Sequence, residues 1–100
     1  MVEDVLGCKW SLHVLALIEG GVRRPGAMER AVAGLSAKVL NERLVKLTRF
    51  GIVRRTTYAE VPPRVEYELT EFGRRFSGII AEIRRLQESF DADVDRAPQR

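Results

Sequence analysis

A repeat of large apolar side chains in the last third of the chain sets the strongest limit on its fold. Successive members lie four, three, four, three and four residues apart, and they are Phe72, Phe76, Ile79, Ile83, Leu86 and Phe90. This spacing places the side chains along one narrow seam of an α-helix, as in helices that pair with another helix. We therefore predict a long helix over residues 70–90 that forms a dimer interface through these six residues, which we call the seam. Residues 91–100 lose the repeat and are expected to fray.

The size and composition of the chain predict one folded domain, over residues 1–90, without a cofactor. A chain of 100 residues forms a single hydrophobic core, and its 45% hydrophobic and 31% charged residues are close to globular averages. No apolar stretch approaches the roughly 18 residues that a membrane span needs, so we expect a cytoplasmic protein with no membrane partner. One cysteine and one histidine leave no intramolecular disulfide, no four-ligand zinc site and no catalytic cluster, so we expect no enzyme.

Three shorter helices are predicted before the long one. The first covers residues 5–18 and is apolar around most of its circumference, and the second begins at Pro25 and ends near Ala33. The third covers residues 36–50, with Ser36 as its N-cap and Gly51 as its stop. One face of this third helix is apolar, with Val39, Leu40, Leu44 and Leu47.

Two extended segments, residues 52–58 and 65–69, are predicted to form a β-hairpin. Pro62 and Pro63 lie between them and cannot belong to a central strand, so they are placed in the connecting tip. Residues 22–24 are able to add a brief edge strand. The fold class is therefore mainly α with a small β-hairpin (α+β). Three helices, a hairpin and a long closing helix, in that order, form a winged helix-turn-helix, in which the hairpin is the wing.

Positive charge is concentrated in the middle of the chain. Residues 36–64 carry seven basic and two acidic groups (+5), whereas residues 1–35 carry four of each and residues 65–100 carry six basic and eight acidic groups (−2). Such asymmetry favours a polyanionic partner contacted by one region, although a solvated basic face gives the same pattern.

Several short strings resemble the HxlR family of MarR-like bacterial transcription regulators. They lie within residues 5–76 and are Gly7-Cys8-Lys9-Trp10, Gly34-Leu35-Ser36, Val39-Leu40, Arg43-Leu44, Gly51-Ile52-Val53, Val61-Pro62-Pro63-Arg64-Val65-Glu66-Tyr67 and Leu69-Thr70-Glu71-Phe72-Gly73. The last two are the most specific, and the Pro-Pro-Arg-Val-Glu-Tyr string favours this family over other MarR-like groups and over the PadR-like group. The resemblance implies a sequence-specific DNA-binding regulator. We expect a homodimeric repressor whose operator in double-stranded DNA is an inverted repeat, with half-sites about 34–36 Å apart.

The third helix is expected to enter the major groove of DNA, which admits one α-helix. Ser36 and the backbone N–H groups beside it suit a phosphate. Ala37 is placed to touch a thymine methyl group, Lys38 to bind guanine and Asn41 to bind adenine. Glu42 matches the N4 amino group of cytosine, and a purely solvated role for it is the alternative.

Four arginines are expected at the DNA backbone or in the adjacent groove. Arg24, Arg43 and Arg49 are predicted phosphate contacts. Arg64, which follows the two prolines of the tip, is predicted to reach the neighbouring minor groove. Arg43 has an alternative role, since it lies near the apolar stripe and is able to pair with a carboxylate or cover the core. For the whole chain, the alternative function is a winged-helix protein–protein interaction module without sequence-specific DNA binding.

Cys8 has two interpretations. Beside Lys9 near a helix start, its thiol is a candidate sensor of oxidants or electrophiles, and a dimer would offer a second Cys8 for an intersubunit disulfide. A small buried apolar residue is the commoner role of a free cysteine. The sequence does not identify a small-molecule or electrophile effector.

Overall fold

The computed structural model describes residues 1–96, which form five helices and one β-hairpin. In chain order the elements are α1 (Val2–Leu6), α2 (Lys9–Glu19), α3 (Pro25–Ala31), α4 (Ala37–Arg49), β1 (Val53–Tyr58), β2 (Arg64–Leu69) and α5 (Glu71–Arg96). This order confirms the predicted fold class, a mainly helical chain with an antiparallel wing and a long C-terminal helix. No helix within the described residues is long and apolar enough to cross a membrane.

The single helix predicted over residues 5–18 is instead two helices. α1 ends at Leu6, Gly7 is its C-cap, and Cys8 adopts an extended conformation as the N-cap of α2. A Cβ atom on Gly7 would lie 2.8 Å from the Glu3 carbonyl oxygen, so the turn requires a residue without a side chain. The apolar periodicity continues across the turn, which is why it did not reveal the break.

Helix α4 forms as the sequence predicts. The Ser36 hydroxyl oxygen accepts a hydrogen bond from the Val39 N–H at 3.1 Å, which satisfies one of the free donors of the first turn. Past its C-terminal end, Gly51 has a φ of +75°, a conformation that residues with side chains rarely adopt. Leu40, Leu44 and Leu47 are fully buried. They pack into a core that also contains Val5, Val14, Leu15, Ile18, Met28, Leu35, Ile52, Val53, Tyr67, Leu69, Phe76 and Ile80.

The wing is an antiparallel pair in which Val53 lies opposite Leu69 and Tyr58 lies opposite Arg64. Residues 22–24 do not form a third strand within the described chain, but the Tyr67 N–H donates to the Arg23 carbonyl oxygen at 2.8 Å. This hydrogen bond attaches the segment that precedes α3 to the open edge of β2.

Helix α5 follows the wing directly and runs to Arg96, beyond the end that we predicted near residue 90. No glycine or proline occurs between residues 79 and 96, and the Gln87 side-chain amide donates to Asp91 Oδ1 at 3.0 Å, one helical turn away. The sequence pattern had ended the helix too early because polar residues there continue it. Residues 97–100 of the predicted frayed tail lie outside the described residues.

Candidate nucleic-acid interface

The outer face of α4 is exposed along its length, opposite the buried leucines. Its exposed residues are Ala37, Lys38, Asn41, Glu42, Val45 and Arg49. Five of these six were predicted site residues, and the structure places them together on one surface. Val45 was not among them, although it is 45% exposed on this face and offers an apolar group that is able to contact a thymine methyl. The sequence could have indicated it, since Val45 lies one helical turn from both Asn41 and Arg49.

The start of α4 is open to a ligand. Ser36 is exposed, and its oxygen already accepts the capping hydrogen bond, so its hydroxyl hydrogen remains able to donate. The first N–H groups of a helix have no partner within the helix and carry the positive end of its dipole. Ala37 and Asn41 also line a cavity of about 200 Å³ together with Pro25 and Tyr67, so α3, α4 and β2 meet here.

Arg43 does not share the exposure of its neighbours on α4. Its side chain is only 18% exposed, Nη1 donates to Cys8 Sγ at 3.4 Å, and Nη2 lies 3.8 Å from Glu42 Oε2. This arrangement corresponds to the alternative role that the sequence left open, in which Arg43 pairs with a carboxylate and packs near the core. Arg43 thereby connects α4 to the junction between α1 and α2.

Cys8 is half-buried at that junction, and its environment shifts the acidity of its thiol. Burial raises the pKa of Cys8, but hydrogen bonds with Ser11, the positive charge of Arg43 and the Trp10 backbone together outweigh burial. The net result is a pKa below the ordinary value, which increases the thiolate fraction near neutral pH. The sequence had placed only Lys9 beside this thiol, and the structure adds Arg43 from another helix.

Arg64 lies at the first position of β2 and is folded against the wing. Its Nη1 atom lies 3.3 Å from Glu60 Oε1, and its Nε atom lies 3.1 Å from Glu66 Oε2. Its guanidinium carbon sits 4.1 Å from the centroid of the Tyr58 ring, within the range of a cation–π contact. The side chain is 29% exposed, and in this conformation it does not extend beyond the tip, where Val61 is fully exposed instead.

Arg24 is the N-cap residue of α3 and lies on the same side of the wing as Arg64. Its side chain is 58% exposed, and its Nε atom lies 3.9 Å from Glu66 Oε2. Glu66 therefore contacts two predicted DNA-binding arginines from distant parts of the chain. The alternation of β2 places Glu66 on the face opposite Tyr67, but nothing local in the sequence indicates its pairing with Arg24.

The seam on α5 is divided between the core and the surface. Phe76 is buried in the core of its own chain, and so is Ile80, which does not belong to the seam. The other five members remain exposed, with Phe72 at 47%, Ile79 at 61%, Ile83 at 48%, Leu86 at 73% and Phe90 at 61%. Val94, at 54%, continues the exposed stripe by one turn. Met1, Val2 and Leu6 extend this apolar surface around a cavity of about 290 Å³ between the N-terminal segment and α5.

Among the side chains that the structure describes, those of residues 1–94, no group of three His, Cys, Asp or Glu is placed to hold a metal ion. The arrangement instead offers polar and cationic groups on the exposed face of α4, Arg24 and Arg64 beside the wing, and a separate apolar face on α5.

Comparisons with known proteins agree with this arrangement. The HxlR-like helix-turn-helix family model matches residues 5–94. The uncharacterized HTH-type transcriptional regulator sll1512 of Synechocystis sp. is 42% identical over 85 residues, which cover 85% of this chain and 63% of that protein. YtcD of Bacillus subtilis, another uncharacterized HTH-type transcriptional regulator, is 36% identical over 77 residues, covering 77% of this chain and 61% of that protein. The chain thus spans less than two thirds of the length of either relative.

Among solved structures, a regulator from Enterococcus faecalis V583 that is assigned to the MarR family superposes with a TM-score of 0.88 and 30% sequence identity. The superposition covers 95% of this chain and 86% of that one. The similarity therefore extends over the long helix α5 as well as the shorter helices and the wing.

Proposed function

The chain belongs to the HxlR-like helix-turn-helix family, and we propose from that membership that it is a transcription regulator that binds double-stranded DNA. The observation that carries the proposal is the outer face of α4, which is exposed, follows a capped N-terminus and presents hydrogen-bonding side chains. A helix with these properties matches the dimensions of the major groove.

In the proposed complex, α4 reads bases and its surroundings hold the backbone. Lys38 donates to guanine O6 and N7, and Asn41 pairs with adenine N6 and N7. Ala37 and Val45 contact thymine methyl groups, while Glu42 accepts from cytosine N4 where that base is present. These contacts carry the sequence specificity of the proposed complex.

Phosphate contacts set the position of the protein on the duplex. We assign them to Ser36 with the N–H groups of the first turn of α4, to Arg24 and to Arg49, all of which are exposed. Arg64 is assigned to the adjacent groove, and to reach it the side chain would leave its contact with Glu60. Arg43 is assigned a structural role, because it is mostly buried between Cys8 and Glu42.

The exposed part of the seam supports a homodimer in which two copies of α5 pack against each other. Five large apolar side chains at heptad spacing remain exposed in one chain, and such a contiguous apolar stripe marks an interaction surface rather than scattered surface residues. Two-fold symmetry then directs the two α4 helices toward successive major grooves, so the operator is proposed to be an inverted repeat. We assign repression as the mode of action, since a dimer bound across a promoter blocks access to it.

Selection of random duplexes by the purified protein tests the proposal, followed by anisotropy titrations of the enriched duplex at several salt concentrations. The expected results are an inverted repeat and an affinity that falls steeply with salt. Lys38→Ala is expected to relax one base position and to weaken binding by about 1–3 kcal/mol. Lys9→Ala is the matched control, because Lys9 is an exposed lysine at the start of α2 to which no DNA contact is assigned.

The alternative function makes a different prediction for the same experiment. A winged-helix interaction module would enrich no sequence and would show only weak, salt-sensitive binding. Equal effects of Lys38→Ala and Lys9→Ala on every base position would also contradict direct readout by α4.

A further inference from the structure

A single carboxylate, that of Glu66, lies between Arg24 and Arg64, and we propose that Glu66 is a positioning residue for DNA binding. The inference rests on the proposed function. Glu66 holds the two guanidinium groups near each other, so that Arg24 meets the DNA backbone and Arg64 the adjacent groove from a fixed arrangement rather than as independent flexible side chains.

The two arginines contact Glu66 at different distances, and this difference suits a positioning role. Both arginines approach the same oxygen, Oε2, through Nε, at 3.9 Å from Arg24 and 3.1 Å from Arg64. Among the described residues, Arg24 makes its ion pair with Glu66 through Nε and none through its terminal Nη atoms, so these remain available to a phosphate. The Glu66 side chain is only 18% exposed, much less than that of Arg24.

The backbone fixes the distance between the two segments that Glu66 joins. The Tyr67 N–H donates to the Arg23 carbonyl oxygen at 2.8 Å, and these residues directly adjoin Glu66 and Arg24. The start of α3 is therefore held against β2 by the backbone as well as by side chains. Arg64 is restrained further by the Tyr58 ring beneath it.

Glu66 has two possible effects on DNA binding, one through its negative charge and one through the positions of the arginines, and they have opposite signs. As a bare negative charge near a polyanion, Glu66 would oppose binding, and its neutralisation would strengthen binding. As a positioning residue it reduces the repulsion between two arginines and restricts their rotamers, which lowers the entropy that binding must remove. The two arginines come from separate segments and converge on one half-buried oxygen, so the geometry favours positioning.

Glu66→Gln and Glu68→Gln form a matched pair for the test. Both residues project from the same face of β2 and both pair with arginine, since Glu68 Oε1 lies 3.3 Å from Arg54 Nη2. Anisotropy titrations with the enriched duplex at one salt concentration are expected to show binding weakened about fivefold or more by Glu66→Gln. Glu68→Gln is expected to leave binding unchanged or slightly tighter. Binding by Glu66→Gln that equals or exceeds that of the wild type overturns the inference.

A double-mutant cycle provides a measurement that leaves Glu66 in place. If Glu66 couples Arg24 to Arg64, the losses of affinity in Arg24→Ala and Arg64→Ala will not add in the double variant. Strict additivity would overturn the inference, and this result does not depend on whether Glu66→Gln folds. Thermal unfolding of each variant separates lost affinity from lost structure.

The outcomes for the two proposals remain distinguishable. A wild-type protein that enriches no duplex contradicts the proposed function itself. A wild-type protein that binds a selected operator, together with a Glu66→Gln variant that binds it equally well, removes only the positioning role.

Discussion

Replacing Ile83 with aspartate is expected to convert the proposed dimer into monomers. Ile83 lies in the middle of the seam and is 48% exposed in the single chain, so about half of its surface is uncovered. In an isologous dimer each substitution acts twice, because the same residue occurs on both sides of the symmetry axis. An aspartate at this position would place two carboxylates in an apolar interface.

The exposed fraction sets the magnitude of this effect. Full burial of an isoleucine side chain contributes about 1.5–3 kcal/mol, so covering the exposed half contributes roughly 0.7–1.5 kcal/mol in each protomer. Two copies account for about 1.5–3 kcal/mol, and burial of an unpaired carboxylate costs several kcal/mol more. A total of at least about 3 kcal/mol raises the dimer dissociation constant by at least about a hundredfold.

Sedimentation velocity across a concentration series measures this change directly. Val45→Asp is the matched control, since Val45 is 45% exposed but lies on α4 and not on the seam. It introduces the same charge at a similar exposure, and the oligomeric state is expected to stay that of the wild type. An Ile83→Asp variant that dimerises with the wild-type dissociation constant would refute the assignment of the seam to a dimer interface.

Two further predictions concern stability and thiol acidity. A Cβ atom on Gly73 would lie 1.9 Å from the Ile52 carbonyl oxygen, so Gly73→Ala is expected to destabilise the fold by about 3 kcal/mol in denaturant unfolding. Gly78→Ala, in the same helix but in open space, is expected to stabilise it by about 0.5–1 kcal/mol, and equal effects would contradict the close approach of α5 to Ile52, the residue before β1. The pH profile of Cys8 alkylation by iodoacetamide is expected to have its midpoint below the ordinary thiol pKa of 9.0, because the lowered pKa retains the thiolate at lower pH. Arg43→Gln removes a charge that favours the thiolate, so the midpoint should move to higher pH, and an unchanged midpoint would show that Arg43 does not act on the thiol.

The sequence predicted those features of α4 that depend on short-range patterns. The exposed face of α4 followed from the period of its buried leucines, and its start followed from Ser36, whose cap forms within three residues. Arg43 was ambiguous for the same reason, because helical period alone places it at the boundary between the two faces. Its contact with Cys8 joins residues 35 positions apart, and no local pattern reports such a contact.

Local sequence signals were enough to predict α3, α4, the wing and the long amphipathic helix in their order, since caps, glycine stops and apolar periods act over one or two helical turns. They did not reveal the break between α1 and α2. How the seam is divided, with Phe76 in the core of its own chain and Ile83 exposed, follows from the packing of other elements against α5, which no local pattern reports. The convergence of Arg24 and Arg64 on Glu66 was likewise decided by the packing of the start of α3 against β2. Side chains from distant segments meet only where the folded backbone brings those segments together.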